Sequence, residues 1–558
     1  MNWLVSKLQT HPEMVIFLTL ALGYAAGRVR IGNFTLGAVT GTLLAGVLIG
    51  QIHVSVSDDL KTTFFLLFLF SIGYRVGPQF FSGLKKEGLP QLALTAILCG
   101  SGLVIAIALS VLFGFDAGTA AGLMAGALTE SATVGTAGDA IRRMGQSPEQ
   151  ISILTANVAT AFAVAYLVGI IGVTWFLSNL APRIMAVDIA AECQKLEAEM
   201  GRAQEMVSDL VSARRSFELR AFRIPVNLAG QTVAQIEAQV GARLFVEQVR
   251  RDGRVIESAP DLTLAKGDVI AVSGRREYLV GEQMRPFIEV EDEAMLGVPA
   301  TAVDIVVTNS QVSDQTLADL ADKPDARGIF LRRMTRGGHE LPIAPATVVN
   351  RGDVLTIVGL ERHVAKATKY LGYADRPTSA TNMIVVSAGI FIGALVGLPA
   401  IHFGSLEIGL GTSVGALLGG LVCGWLRATR RSFAGIPEAA LWIFDSLGLT
   451  AFIAVVGLSA GPRFFTGLVD SGVSLVLAAL CVVMLPHLIT VLVGHRLMKI
   501  NPAILLGICA GAGTSGPALA AIQETAHSKI PTLGYGVPYA VGNVLLALWG
   551  TVIIDVLR

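Results

Sequence analysis

Two short stretches of this chain combine small residues, hydroxyls and a place for a helix to break. One is Thr129-Glu130-Ser131-Ala132-Thr133-Val134-Gly135-Thr136 and the other is Gly511-Ala512-Gly513-Thr514-Ser515-Gly516-Pro517. Glycine weakens a helix and proline removes a backbone donor, so either stretch favours an interruption. The new helix N-terminus beyond a break presents unpaired N–H groups that favour an anion. The hydroxyls of Thr129, Ser131, Thr133, Thr514 and Ser515 add donors beside it. Such a set suits reversible binding of a carboxylate rather than bond making. Small residues also suit close helix packing, and one stretch alone leaves both uses open; finding both at matching places favours binding.

Four ionisable residues stand in apolar surroundings. Arg75 lies beside Gly77-Pro78. A charge within a span is costly, by about 2.5 to 3.5 kcal/mol on insertion scales. Its planar fork suits a carboxylate, or it snorkels towards Lys85 and Lys86 at the interface. Glu130 faces Ser515 in the matching stretch, which leaves a proton or cation site, an ammonium contact and an arginine partner open. Asp445 and His487 read as internally hydrogen-bonded. Enzyme templates are absent: no glycine loop ends in Gly-Lys-Ser or Gly-Lys-Thr, and neither H-E-x-x-H nor G-x-S-x-G occurs. The five cysteines Cys99, Cys193, Cys423, Cys481 and Cys509 form no C-x-x-C pair, so neither a disulfide, a metal nor a cofactor is expected.

These residues need a membrane to hold them. The 558 residues are 53% hydrophobic and 15% charged, with mean hydropathy +0.64, too apolar for a soluble protein of this size. A net charge of +0 points away from nucleic acid and towards a lipid bilayer. Apolar segments fall at about 14–28, 34–52, 60–77, 89–114, 118–138 and 150–180. They resume at about 383–400, 406–426, 440–460, 472–494, 502–522 and 534–557. The fifth of each set carries the breaks. Residues 188–216 read as a polar helix.

The two sides repeat. Gly73-Tyr-Arg-Val-Gly77-Pro78-Gln-Phe80-Phe81-Ser-Gly83 matches Gly457-Leu-Ser-Ala-Gly461-Pro462-Arg-Phe464-Phe465-Thr-Gly467 at a constant shift of 384. Gly41–Gly50 echoes Gly415–Gly424, Ala125–Thr129 echoes Ala510–Thr514, and Tyr166–Gly169 echoes Tyr539–Gly542, in the same order. Duplicated halves are a transporter signature. If the fifth segments re-enter rather than cross, and the middle is cytoplasmic, then Arg28, Arg30, Lys85, Lys86, Arg183, Arg427, Arg430, Arg431, Arg496, Lys499 and Lys529 lie inside. Only Lys7, Lys61, Arg142, Arg143 and Arg558 fall outside. The expected fold is therefore a polytopic α-helical membrane protein in a bacterial inner membrane. It has two inverted repeats, each of about five spans plus a re-entrant or broken segment.

The middle is duplicated too. Gly253, Pro260, Gly267, Asp268 and Gly274 recur 85 residues later as Gly338, Pro345, Gly352, Asp353 and Gly359. Each copy reads as a hairpin-rich α+β domain, and no G-x-G-x-x-G stands between Phe217 and Leu371. The expected organisation is a transmembrane repeat at 1–183, a polar linker at 184–216, small domains at 217–285 and 303–370, and a second transmembrane repeat at 381–558.

The duplicated Gly73–Phe81 and Gly457–Phe465 elements resemble those of the aspartate:alanine exchanger family, and the middle resembles two TrkA C-terminal domains. The resemblance implies a secondary active, electrogenic antiporter of aspartate against alanine, and some relatives are suspected of carrying succinate or other dicarboxylates. It also implies a cationic substrate contact at the position of Arg75. The combined reading expects small carboxylate substrates, a homodimer and a small-molecule regulator on the soluble domains. The rival is a potassium channel or cation transporter regulated by those domains, for which the filter sequence T-V-G-Y-G is missing.

Overall fold

The computed structural model describes residues 2–31, 34–35, 37–54, 56–84, 88–199, 217–240, 244–297, 300–374, 381–403, 406–429 and 435–557. Lys85, Lys86, Arg430, Arg431, Arg558 and the linker residues 200–216 lie outside the described residues. The chain divides into two compact units, one of residues 1–196, 337–339 and 377–558, the other of residues 197–336 and 340–376.

The first unit is helical and twofold repeated. Its N-terminal half runs α1 (Pro12–Gly27), α2 (Ala38–Gly50), α3 (Asp58–Gly83), α4 (Leu89–Phe113), α5 (Ala117–Ala127), α6 (Ala132–Arg143) and α7 (Pro148–Trp175). Its C-terminal half runs α8 (Met383–Gly397), α9 (Gly411–Thr429), α10 (Glu438–Leu492), α11 (Pro502–Ala512), α12 (Gly516–Ala526) and α13 (Gly536–Val556). Short antiparallel strand pairs join α1 to α2 and α8 to α9. The second segment of each half thus begins later than its apolar run. α10 does the work of α3 and α4 in one helix. The N-terminal half has Pro90 at the junction, where the 384-shifted position in the C-terminal half is Ser474. Among the described residues six helical stretches are long and apolar enough to cross a bilayer: Asp58–Phe81, Leu89–Phe113, Pro148–Met185, Glu438–Pro462, Gly472–Leu497 and Gly536–Val556. Their outer faces are apolar; Leu112 on α4 and Val473 on α10 are 73% and 79% exposed, as lipid-facing side chains must be.

The Gly-x-x-x-Gly-Pro elements lock the halves together. A methyl on Gly73 would lie 2.2 Å from the Leu417 carbonyl oxygen of α9, and one on Gly77 would lie 2.3 Å from that of Leu421. From the other side, a methyl on Gly420 or Gly424 would clash with the carbonyl oxygen of Phe70 or Tyr74. The second motif repeats this with exchanged partners: Gly457 and Gly461 sit on Leu43 and Val47 of α2, while Gly46 and Gly50 sit on Ala454 and Leu458. Each half therefore packs its motif helix against the second helix of the other half. Only glycine allows backbones this close. The neighbouring prolines, Pro78 and Pro462, stay inside continuous helices.

The second unit holds two five-stranded sheets of identical order. The first runs 254–257, 245–251, 269–275, 217–223, 288–289, and the second runs 339–340, 329–336, 354–360, 300–307, 372–374. Both carry a register shift at the same place, between Val246 and Gln248 and between Leu331 and Arg333. The duplicated aspartates are structural. Arg251 donates to Asp268 at 2.7 and 3.1 Å, and Arg336 donates to Asp353 at 2.7 and 2.8 Å, with both carboxylates buried. Phe245 and Phe330, equivalent residues, meet with ring centroids 6.2 Å apart. Beside them Arg327 grips Glu237 with bonds of 2.8 and 2.9 Å. Buried Glu247 accepts from Arg362 at 3.0 Å and Ser273 at 2.5 Å, and pairs with His363 at 2.8 Å. Burial pushes the Glu247 carboxyl up, but the bonds from His363, Ser273 and Arg362 outweigh it and hold it below the usual range.

Candidate functional site

Each fifth segment is two half-helices, α5 with α6 and α11 with α12. The break has the same hydrogen-bond pattern in both. Thr129 N–H donates to Gly126 O and Glu130 N–H to Ala125 O; Thr514 N–H donates to Gly511 O and Ser515 N–H to Ala510 O. This is the two-bond helix ending in which a residue normally glycine takes the left-handed conformation. Here that residue is a threonine in both halves, Thr129 at φ 56° and Thr514 at φ 52°. A β-branched residue there is strained, and the surrounding bonds hold it.

Those bonds run from one break to the other. Thr129 Oγ1 donates to Gly513 O at 3.1 Å, and Thr514 Oγ1 donates to Leu128 O at 3.3 Å. Leu128 and Gly513 are equivalent residues, as are the two threonines, so the contact is reciprocal. The outgoing half-helix α6 is clamped to α13: Thr133 Oγ1 donates to Leu546 O at 2.8 Å and Thr136 Oγ1 to Ala547 O at 2.7 Å. Trp549 Nε1 donates to Cys99 O at 3.0 Å, which ties α4 to the same helix.

The two breaks differ in what fills the N-terminus beyond them. At α6 the protein supplies its own acceptor: the buried Glu130 carboxyl accepts from Ala132 N–H at 3.0 Å. At α12 the counterpart Ser515 makes a longer cap, its hydroxyl accepting from Ala518 N–H at 3.4 Å. A methyl on the next residue, Gly516, would meet nothing within 4 Å. The α12 terminus thus keeps the open, unfilled space, and the arrangement can seat a carboxylate there. Ser131 occupies the cap position of α6, but its side chain makes no cap bond.

Of the predicted residues, Thr129, Gly513 and Thr514 meet across the crossing, Glu130, Ser131, Ser515 and Gly516 adjoin it in the chain, and Thr133 turns to α13. Arg75 is not part of the crossing. Its Nη1 donates to Asp445 Oδ2 at 3.1 Å, across the two halves. Asp445 is the 384-shifted equivalent of Lys61, which pairs instead with Asp58 at 2.6 Å. Arg142 reaches the same Asp58 at 3.8 Å and Asp139, and Asp139 also accepts from Ser413. Each repeat therefore carries a charged cluster on its third helix or the equivalent part of α10. No sequence signal pairs Arg75 with Asp445, because the two are 370 residues apart. Among the described residues no group of three or more His, Cys, Asp or Glu could hold a metal ion.

Comparison with known proteins agrees with this architecture. A family model described as a predicted permease membrane region matches residues 15–182 and 385–555, the two helical halves. A TrkA-C domain model matches residues 302–372, the second small domain. An uncharacterized transporter of Shewanella oneidensis is 40% identical over the whole of both chains. A second uncharacterized transporter, from Bradyrhizobium diazoefficiens, is 41% identical over 92% of this chain and all of its own length. No solved structure matches. With both halves matched and transporters related to it from end to end, the chain belongs to the aspartate:alanine exchanger family of membrane permeases.

Proposed function

We propose that this transporter is a secondary active antiporter of small carboxylates, an acidic amino acid or dicarboxylate, working by alternating access about inverted repeats. The observation that carries the reading is the crossing of two strained helix breaks from opposite halves, joined by reciprocal Thr129 and Thr514 bonds. A site made by both halves changes its access whenever the halves move relative to one another. Of the two breaks, α12 is the better carboxylate seat, since Glu130 already occupies the terminus of α6. Aspartate against alanine is the first pair to try. Exchange of a monoanion for a zwitterion is electrogenic, worth about 2.3 kcal/mol per charge per 100 mV. The same reading has the second unit cytoplasmic in a bacterial inner membrane, the chain dimeric, and the small domains open to a regulator.

Purified protein in liposomes preloaded with unlabelled aspartate, alanine or succinate tests this. Uptake of labelled substrate should require an internal counter-substrate and should respond to an imposed membrane potential. Equal uptake into empty liposomes would refute antiport, and no uptake of any of the three would refute the carboxylate reading.

A further inference from the structure

His487 lies on α10 and is 1% exposed. Its Nδ1 is 2.7 Å from the Val483 carbonyl oxygen, and a carbonyl oxygen can only accept. Nδ1 therefore carries a proton, and in the neutral ring Nε2 presents a lone pair. That nitrogen is buried and has no partner. It points at the α12 break: a methyl on Gly513 would lie 2.9 Å from it. The backbone groups around it are already engaged. Gly513 O accepts from Thr129, Ala510 O accepts from Ser515 N–H, and Ala512 O is 3.7 Å from Cys99 Sγ. One bare acceptor remains in a buried break that also offers N–H groups and open space at Gly516. A buried polar atom left unpaired is costly, and a ligand that brings a donor removes the cost.

We infer that His487 accepts a hydrogen bond from the ammonium group of an α-amino acid whose carboxylate sits at the N-terminus of α12. The inference rests on the carboxylate reading above and narrows it to a substrate class. A dicarboxylate without an amine offers the α12 terminus an anion but offers Nε2 no donor. An α-amino acid offers both from one carbon. The counterpart of His487 in the N-terminal half falls at Gly102, which has no side chain to play this part. The amine contact thus belongs to the same half as the open helix terminus.

The test uses full-length protein, with L-aspartate and succinate as probes that share a skeleton and differ in the amine. His487→Asn keeps an amide N–H for Val483 and removes the acceptor at Nε2. His487→Gln places an amide oxygen near Nε2. Affinity is read both from exchange KM in liposomes and from ligand-induced thermal shift in detergent. The wild type should prefer aspartate. In His487→Asn the preference for aspartate over succinate should fall by about 10- to 100-fold, and His487→Gln should recover part of it. Equal loss for both ligands, or an unaltered preference in His487→Asn, overturns the role of His487 and leaves the carboxylate reading standing. Should the wild type bind neither ligand, the carboxylate reading itself fails and this inference with it.

Discussion

Replacing Asp445 by asparagine should remove the charge that Arg75 faces across the two halves. The magnitude follows from the geometry. At the observed 3.1 Å and an effective dielectric of about 20, two unit charges attract by about 5 kcal/mol. Both side chains keep more than a quarter of their exposure, 28% and 27%, so water screens the pair and a coupling of about 1 to 3 kcal/mol is expected. A double-mutant cycle with Arg75→Met, Asp445→Asn and the double variant, read by thermal unfolding in detergent, measures it. Arg75→Met should be the most harmful member, because it strands a carboxylate in an apolar setting, and the double variant should recover part of the loss. Additivity within about 0.5 kcal/mol would refute the pairing.

Gly424→Ala would put a methyl 2.0 Å from the Tyr74 carbonyl oxygen; parting α3 from α9 should cost about 1 to 3 kcal/mol, visible as a lowered thermal midpoint. Gly50→Ala, 2.4 Å from Leu458 O, should behave alike if the interlock is reciprocal. Glu130→Ala should lose about 0.5 to 2 kcal/mol through the missing cap on α6, whereas Glu130→Gln, which keeps an acceptor, should stay close to the parent by the same unfolding measurement. In the second unit, the depressed carboxyl of Glu247 contributes stability that is complete above its ordinary value of about 4.5. That stability disappears as pH falls below this value through the depressed one. Acid unfolding of that unit followed by hydrogen exchange should begin at the Glu247–His363–Arg362 contact, and in Glu247→Gln this acid-dependent step should vanish.

Much of this arrangement was legible in the residues. The 384-residue repeat, the two breaks and the duplicated soluble domains all follow from patterns that local physics imposes on composition, and the structure has all three. What sequence could not give was pairing between halves. Arg75 read as a substrate clamp or a snorkelling side chain because its partner, Asp445, lies in a distant helix whose rotation no periodicity reveals. Glu130 read as a proton site, an ammonium contact or an arginine partner. The bond to Ala132 N–H makes it a cap, a role that needs the exact turn of the chain at Thr129. His487 read as internally satisfied, which holds for Nδ1 and not for Nε2, a distinction invisible without the direction of the ring. The glycines at 73, 77, 457 and 461 were visible as a motif, but that each set serves the opposite half was not.

That exchange of partners has a consequence for biosynthesis. α3 leaves the ribosome more than 300 residues before α9 does, and at about 5 to 20 residues per second the delay is about 15 to 70 seconds. Throughout that interval the glycine face of α3 stands in lipid with no helix to receive it, as does that of α2 until α10 arrives. The N-terminal half is therefore a waiting half, inserted but unclosed, and the late C-terminal half is both its partner and its closing key. Two separately translated halves, made together in one cell, should find each other and assemble, and either made alone should be degraded.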